Sequence, residues 1–144
     1  MAMSKRLIRL ICLSLLLAST PGWATRIAVV VHPSNPINKL SQQEVAGIFL
    51  GQIQGLAGQP LRPFDLPYDD PLREYFYRRI ANLSLDQVQA RWARLLFSGR
   101  TSVPKVTASV QEALALVNER PEAIVYVDEA AVDERRLKIV FVLP

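Results

Sequence analysis

The sequence is poor in the residues on which covalent chemistry depends. Its 144 residues contain one cysteine and one histidine. The cysteine, Cys12, belongs to an N-terminal segment with the pattern of a cleaved leader, and the sequence "RLIC" lacks the small residue that a bacterial lipobox places just before its cysteine. Without that segment the chain has no disulfide, no thiolate chemistry and no lipid anchor.

The sequence also lacks a hydrophobic run long enough to cross a bilayer, for which roughly 20 apolar residues are needed. The apolar run Leu10–Ala18 is shorter, follows three basic residues and precedes Gly22-Trp23-Ala24. This pattern predicts a secretory signal peptide over residues 1–24, with an uncleaved anchor as the alternative. Cleavage lowers the net charge from +4 to +1, which argues against nucleic-acid binding because that requires a persistent basic patch.

Residues 25–144 have the size of one domain, and no linker or repeat divides them. Short apolar runs predict buried strands and helical periodicity predicts helices, in the order strand, helix, strand, three helices, strand, strand. We therefore expect an α/β fold with a mixed sheet covered by helices. The predicted strands are Arg26–Val31, Leu61–Phe64, Ala123–Val127 and Leu137–Leu143.

Polar residues mark where the predicted helices begin. The pairs Ser41 with Glu44 and Ser84 with Gln87 have capping-box spacing, as does Ser109 with Glu112. The remaining helix begins after Asp70, with Pro71 at the first helical position, where a missing N–H costs nothing.

Three segments, "IFLGQI", "PLREYFYRRI" and "PEAIVYVD", resemble in order and separation the phosphate-binding component of bacterial ABC transporters and its small secreted relatives. The resemblance covers nearly all of residues 25–144. It implies one lobe of a type 2 periplasmic-binding-protein-like fold and no catalytic activity. Full-length members of that family are more than twice as long and close two lobes around the ligand, so one lobe alone supplies half a cleft.

The anion-binding motif of the family, Arg-x-x-Gly-Ser-Gly-Thr at a helix start, is not retained. In order, the positions of its Arg, Gly, Ser, Gly and Thr are occupied here by Asp65, Tyr68, Asp69, Asp70 and Pro71. The family glycine of the later strand is replaced by Val125.

A helix N-terminus attracts anions through its free N–H donors and partial positive charge. We expect Asp70 to satisfy these donors itself. A phosphate here would also meet three carboxylates, each costing on the order of 4 kcal/mol at about 4 Å in a site of intermediate dielectric. The sequence therefore predicts a different ligand or none. If a small anion or other solute binds, the predicted rim comprises Ser34, Asn35, Asp69, Asp70 and Arg73, with no cofactor, catalytic residue or metal.

Two other readings remain open. The segment Pro71–Lys105 has a net charge of +5 and the residues from Val106 onward a net charge of −3. The arginine-rich helices could dock onto an envelope or sensor protein, although a solvated face has the same pattern. His32 follows a strand end, where catalytic groups occur, and could bind a metal with Asp69 and Asp70 if these residues met in space. Without a nucleophile motif, a hydrogen-bonded loop residue is the simpler interpretation.

Overall fold

The computed structural model describes residues 25–99 and 103–144, so the predicted signal peptide lies outside the described residues. No helix in those two ranges is long and apolar enough to cross a membrane. The strands are β1 (Ile27–Val31), β2 (Gly55–Leu56), β3 (Gln59–Pro60), β4 (Arg62–Asp65), β5 (Lys105–Val106), β6 (Ala123–Asp128) and β7 (Lys138–Leu143). The helices are α1 (Gln42–Phe49), α2 (Pro71–Ala81), α3 (Leu85–Phe97) and α4 (Val110–Glu119), with a short 3-10 helix at Glu129–Ala131.

The main sheet contains five strands in the order β5-β4-β6-β1-β7. Strand β4 pairs in parallel with β5 and β6, whereas β1 pairs antiparallel with β6 and β7. The predicted mixed sheet is confirmed. Because Val31 and Pro63 both pair with Ile124, the C-terminal end of β1 lies beside the N-terminal ends of β4 and β6. These strand ends form one edge of the sheet, and the other ends of the same strands form the opposite edge. The loops that follow β1 and β4 consequently leave from opposite edges.

The predicted elements occur in the predicted order, and the ends of the predicted strands differ from the observed ones by at most one residue. The short strand β5 between α3 and α4, which pairs with β4 in the main sheet, was not predicted. The segment after α1 is more regular than expected, because it contains the β2–β3 hairpin. Ala57 and Gly58, between the two strands, have φ values of 51° and 74°, as a two-residue turn of the hairpin type requires. Alternating hydrophobicity is absent from so short a hairpin, so the sequence did not reveal it.

The helix caps follow the sequence closely. Complete capping boxes form at Ser41 with Glu44 and at Ser84 with Gln87. At α4 the Ser109 hydroxyl accepts the Glu112 N–H, but the Glu112 carboxylate accepts from Ala108 instead of Ser109, so that box is only half formed.

The core joins the sheet to α1, α2 and α3 through aromatic rings. Tyr126 of β6 stacks on Phe76 with ring centroids 3.7 Å apart and meets Phe49 edge to face at 5.4 Å. Trp92 is 7% exposed, and its indole N–H donates to the carbonyl of Phe49 at 3.1 Å. All five residues of β1 are fully buried. This packing fixes α2 beside the end of β4, where the candidate site lies.

Candidate functional site

The N-terminus of α2 has no backbone donor left for a ligand among its first residues. The Asp70 N–H donates to the Pro67 carbonyl at 3.0 Å, and Pro71 has no N–H. The Leu72 N–H donates to the Asp70 side chain at 2.9 Å, and the Arg73 N–H donates to the Asp70 carbonyl at 3.1 Å. The predicted cap at Asp70 is confirmed, and an anion arriving here would have to displace it.

A second carboxylate, Asp65, is the last residue of β4 and is fully buried. Its Oδ2 accepts from Arg73 Nε at 2.7 Å, and its Oδ1 accepts from the Leu66 N–H at 3.0 Å and from the Tyr126 hydroxyl. Arg73 is itself 1% exposed. Asp65 and Arg73 therefore form a buried ion pair, and each neutralises the charge of the other.

Burial dominates the proton affinities in this cluster. It raises the pKa of Asp65 above its ordinary value, an effect that hydrogen bonds from Tyr126 and Arg73 oppose. It also raises the pKa of Tyr77 and of Tyr126 well above the ordinary value for tyrosine. Burial alone would lower the pKa of Arg73, but the bond to Asp65 raises it above its ordinary value. Both tyrosines thus remain neutral at physiological pH.

Aromatic rings surround the guanidinium of Arg73. Its central carbon lies 4.9 Å from the ring centroid of Tyr68 and 5.7 Å from that of Trp92, within the distance of cation–π attraction. Tyr68 is 66% exposed, whereas Trp92 belongs to the core. Among the buried side-chain atoms of the described residues, Arg73 Nη2 and the Tyr77 hydroxyl have no hydrogen-bond partner. The nearby charge of Asp65 nevertheless contributes to raising the pKa of Tyr77.

The structure does not bring the five predicted rim residues together. Asp69 is exposed and Asp70 is half-buried as the cap, but Arg73 lies inside the protein instead of on a rim. Ser34 and Asn35 follow β1 and lie at the opposite edge of the sheet. A rim built from all five residues therefore does not form, because β1 runs antiparallel to β6.

At that opposite edge, Asn35 serves the fold. Its amide donates to the Pro121 carbonyl at 2.8 Å and its side-chain oxygen accepts from the Ile37 N–H at 2.9 Å. Ser34 and Asn35 both border a cavity of about 200 Å³ beside Pro121. Ser34 Oγ lies 2.7 Å from His32 Nδ1, so the histidine takes part in a hydrogen-bonded loop.

The structure separates His32 from the two aspartates with which it was considered as a metal site, since they follow strands that end at opposite edges. Within residues 25–99 and 103–144, no group of three or more His, Cys, Asp or Glu side chains could hold a metal ion.

The arginines of α2 and α3 do not form one continuous basic face. Arg73 is buried, and Arg78 pairs with Glu74 at 2.9 Å, as their spacing predicts. Arg91 and Arg94 of α3 border a cavity of about 260 Å³ with Leu50 and Leu95. Near the end of α3, Leu96 is 52% exposed and Phe97 is 92% exposed.

Sequence reasoning missed the ion pair between Asp65 and Arg73. The two residues are eight positions apart and belong to different elements, so no helical spacing links them. The available signal was Asp65 at the end of the apolar strand "LRPF", a place where a carboxylate is buried only if it is paired. A second signal was Tyr126, which has the only hydroxyl group in the apolar strand "AIVYV" and donates it to Asp65.

Comparisons with known proteins agree with this architecture. The chain is similar to a protein assigned as a phosphate ABC transporter substrate-binding protein from Clostridium perfringens, solved with bound phosphate, at a TM-score of 0.64 and 17% identity. It is also similar to an ABC-type phosphate transport receptor from Vibrio cholerae, at 0.62 and 20%, and to PstS from Borrelia burgdorferi, at 0.60 and 16%.

Each of these matches covers 81% of this chain but only 45%, 46% and 47%, respectively, of the other protein. The chain thus spans less than half the length of these relatives. No family model and no curated protein matches the sequence. The chain therefore shares its fold with one part of these phosphate-transport binding proteins.

Proposed function

We propose that the chain is a secreted or periplasmic solute-binding-protein-like domain without catalytic activity, in which the anion site at the start of α2 has been closed by the chain itself. One observation carries this proposal. The donors that would hold an anion at the N-terminus of α2 are engaged by Asp70 and Pro67 or, at Pro71, are absent.

Electrostatics support the same conclusion. The cation nearest to this helix start, Arg73, is buried and already paired with Asp65 at 2.7 Å. The exposed carboxylate of Asp69 adds a like charge for any approaching oxyanion. A phosphate would therefore meet net repulsion together with the loss of the Asp70 cap.

The fold supports the wider assignment. The similar structures are described as substrate-binding proteins and a transport receptor for phosphate, and none is described as an enzyme. Since this chain covers less than half of them, its described residues supply only one side of a ligand cleft between two lobes. We infer that a small anion, if one is bound, does not occupy the start of α2.

Isothermal titration calorimetry with inorganic phosphate at low ionic strength tests this proposal. We expect no heat of binding at micromolar to low millimolar phosphate. A dissociation constant in the micromolar range, lost in the variant Arg73→Gln, would show that the site is open. As the matched control, Arg79→Gln removes an exposed arginine from the same helix.

A second candidate, an interaction module that docks onto an envelope or sensor protein, is favoured by the end of α3. Phe97 is 92% exposed there, and Arg91 and Arg94 lie on the same helix. Aromatic residues and arginine are enriched in protein–protein interfaces relative to the rest of the surface. Charge reversal of Arg91 and Arg94 should abolish recovery of a partner from envelope extracts, and unchanged recovery would contradict docking by this helix.

A further inference from the structure

A groove of about 370 Å³ lies between α4 and the turn that leads into β7. Its volume falls in the range of roughly 300–1,000 Å³ that is typical of small-molecule sites. The lining combines apolar and polar residues, and those that matter for its chemistry are Leu114, Leu137, Gln111, Asn118, Glu119 and Arg136. It is separate from the start of α2 and uses no residue of the Asp65–Arg73 pair.

The groove contains two opposite charges that do not pair with each other. Glu119 and Arg136 both line it, yet neither forms an ion pair with any described residue. The third charged residue of the lining, Asp133, is engaged, because its Oδ1 accepts the Arg135 N–H at 3.1 Å and lies 3.7 Å from Arg135 Nε. The groove therefore presents the carboxylate of Glu119 and the guanidinium of Arg136, neither of them in an ion pair, beside the weakly paired carboxylate of Asp133.

The position of Glu119 strengthens the attraction for a cation. It is the last residue of α4, the last turn of that helix contains no basic residue, and the exposed Arg120 follows it as the C-cap. A helix C-terminus carries a partial negative charge that is stabilised by a cation and not by a carboxylate. Because Glu119 lines the groove and Arg120 does not, the groove side of this helix end favours a positive group.

Arg136 supplies the complementary charge. Its guanidinium can donate two parallel hydrogen bonds to a carboxylate, a geometry that arginine favours. Leu114 and Leu137 add apolar surface to the same lining, and the amides of Gln111 and Asn118 offer further donors and acceptors.

We propose that this groove binds a small zwitterion of the α-amino-acid class with an apolar side chain. Glu119 and the C-terminal end of α4 contact its ammonium group, and Arg136 contacts its carboxylate. Leu114 and Leu137 contact its side chain. Because the groove is open to solvent, we expect a dissociation constant on the order of 0.1–1 mM. This site goes beyond the proposed function, and its test does not depend on whether phosphate binds.

Titration of L-leucine into the ¹⁵N-labelled protein, followed by backbone amide shifts, tests the proposal. We expect saturable shifts confined to α4 and residues 131–137. Leucinamide lacks the carboxylate and N-acetyl-leucine lacks the ammonium group, so each should bind about tenfold more weakly than leucine, as expected for the loss of one charge-assisted contact.

Two variants pair each ligand charge with a protein charge. In Arg136→Gln, leucine should bind no better than leucinamide, and in Glu119→Gln it should bind no better than N-acetyl-leucine. The exposed neighbour Arg120 lies outside the groove lining, and Arg120→Gln is the matched control with unchanged affinity. Equal binding of all three ligands by the unaltered protein, shifts outside the groove, or no shift at 20 mM leucine would overturn the proposal.

Discussion

The start of α2 and the end of α4 treat charge in opposite ways. At α2, Asp65 and Arg73 are buried and paired at 2.7 Å, and Asp70 is committed to the helix cap. At α4, Glu119 and Arg136 face one groove without an ion pair among the described residues. Buried charges that are paired with one another are committed to the fold, whereas unpaired charges beside a cavity remain available to a ligand.

The largest expected effect is the loss of the buried pair. Asp65→Ala removes the acceptor of Arg73 Nε and of the Tyr126 hydroxyl, and so leaves a buried cation unpaired. We expect the free energy of unfolding to fall by about 3–5 kcal/mol, measured by urea denaturation. The double variant Asp65→Leu with Arg73→Met removes both charges and should recover much of that loss. A double variant as unstable as Asp65→Ala would contradict this account.

A smaller effect distinguishes the two buried tyrosines of the same cluster. Tyr126→Phe removes a hydrogen bond to a charged carboxylate and should cost about 1.5–3 kcal/mol. Tyr77→Phe removes a hydroxyl that lies near the Asp65 carboxylate but has no hydrogen bond of normal geometry, so it should cost less than about 0.5 kcal/mol or stabilise the protein. Chemical denaturation of both variants measures the difference, and equal losses would show that Tyr77 contributes a bond of its own.

The same tyrosines set the behaviour of the protein in alkali. Unfolded tyrosines lose their protons near pH 10, whereas burial raises the pKa of Tyr77 and Tyr126 well above that value. Above pH ~10 the folded state therefore binds more protons than the unfolded state, and stability falls as pH rises. We expect a slope of about 1.4 kcal/mol per pH unit for each tyrosine. In Tyr77→Phe the loss of stability above pH ~10 should be correspondingly shallower.

The helix cap is expected to contribute less than the buried pair. Asp70→Ala removes the acceptor of the Leu72 N–H and should lower stability by about 1 kcal/mol. Asp69 precedes it, is exposed and caps nothing, so Asp69→Ala is the control and should change stability by less than about 0.5 kcal/mol. Similar losses in thermal denaturation would mean that Asp70 acts only through its charge.

The smallest effect is expected in the groove of α4. Since Glu119 and Arg136 are exposed and unpaired, Glu119→Gln and Arg136→Gln should each change stability by less than about 0.5 kcal/mol. A loss near that of Asp70→Ala would show that these charges serve the fold, which would remove the contrast between the two regions.

Local signals explain what the sequence could reveal of this fold. The cap at Asp70, the capping box at Ser41 and the first buried strand depend on neighbouring residues. The two caps were predicted correctly, and the strand predicted as Arg26–Val31 spans Ile27–Val31. The mixed sheet followed from the order of elements. The distribution of Ser34 and Asp69 to opposite edges depends on the direction in which β1 pairs with β6, and no local pattern encodes that direction.

The candidate site was harder to predict for the same reason. Arg73 lies in the first turn of α2, where an arginine ordinarily points to solvent. The carboxylate of Asp65, eight residues earlier, offsets the desolvation cost of burying its charge. The groove beside α4 likewise brings Glu119 and Arg136, which are distant in the chain, into one lining. The sequence could not show which charged residues from distant parts of the chain lie close together in the fold.

A phosphate titration followed at the amides of Leu72 and Arg73 tests the central claim most directly. If the Asp70 carboxylate occupies the anion-binding position at the start of α2, these two resonances should not move in a saturable way up to 10 mM phosphate at low ionic strength. Saturable shifts of both amides at micromolar phosphate would show that the helix start still accepts an anion, and would contradict the account.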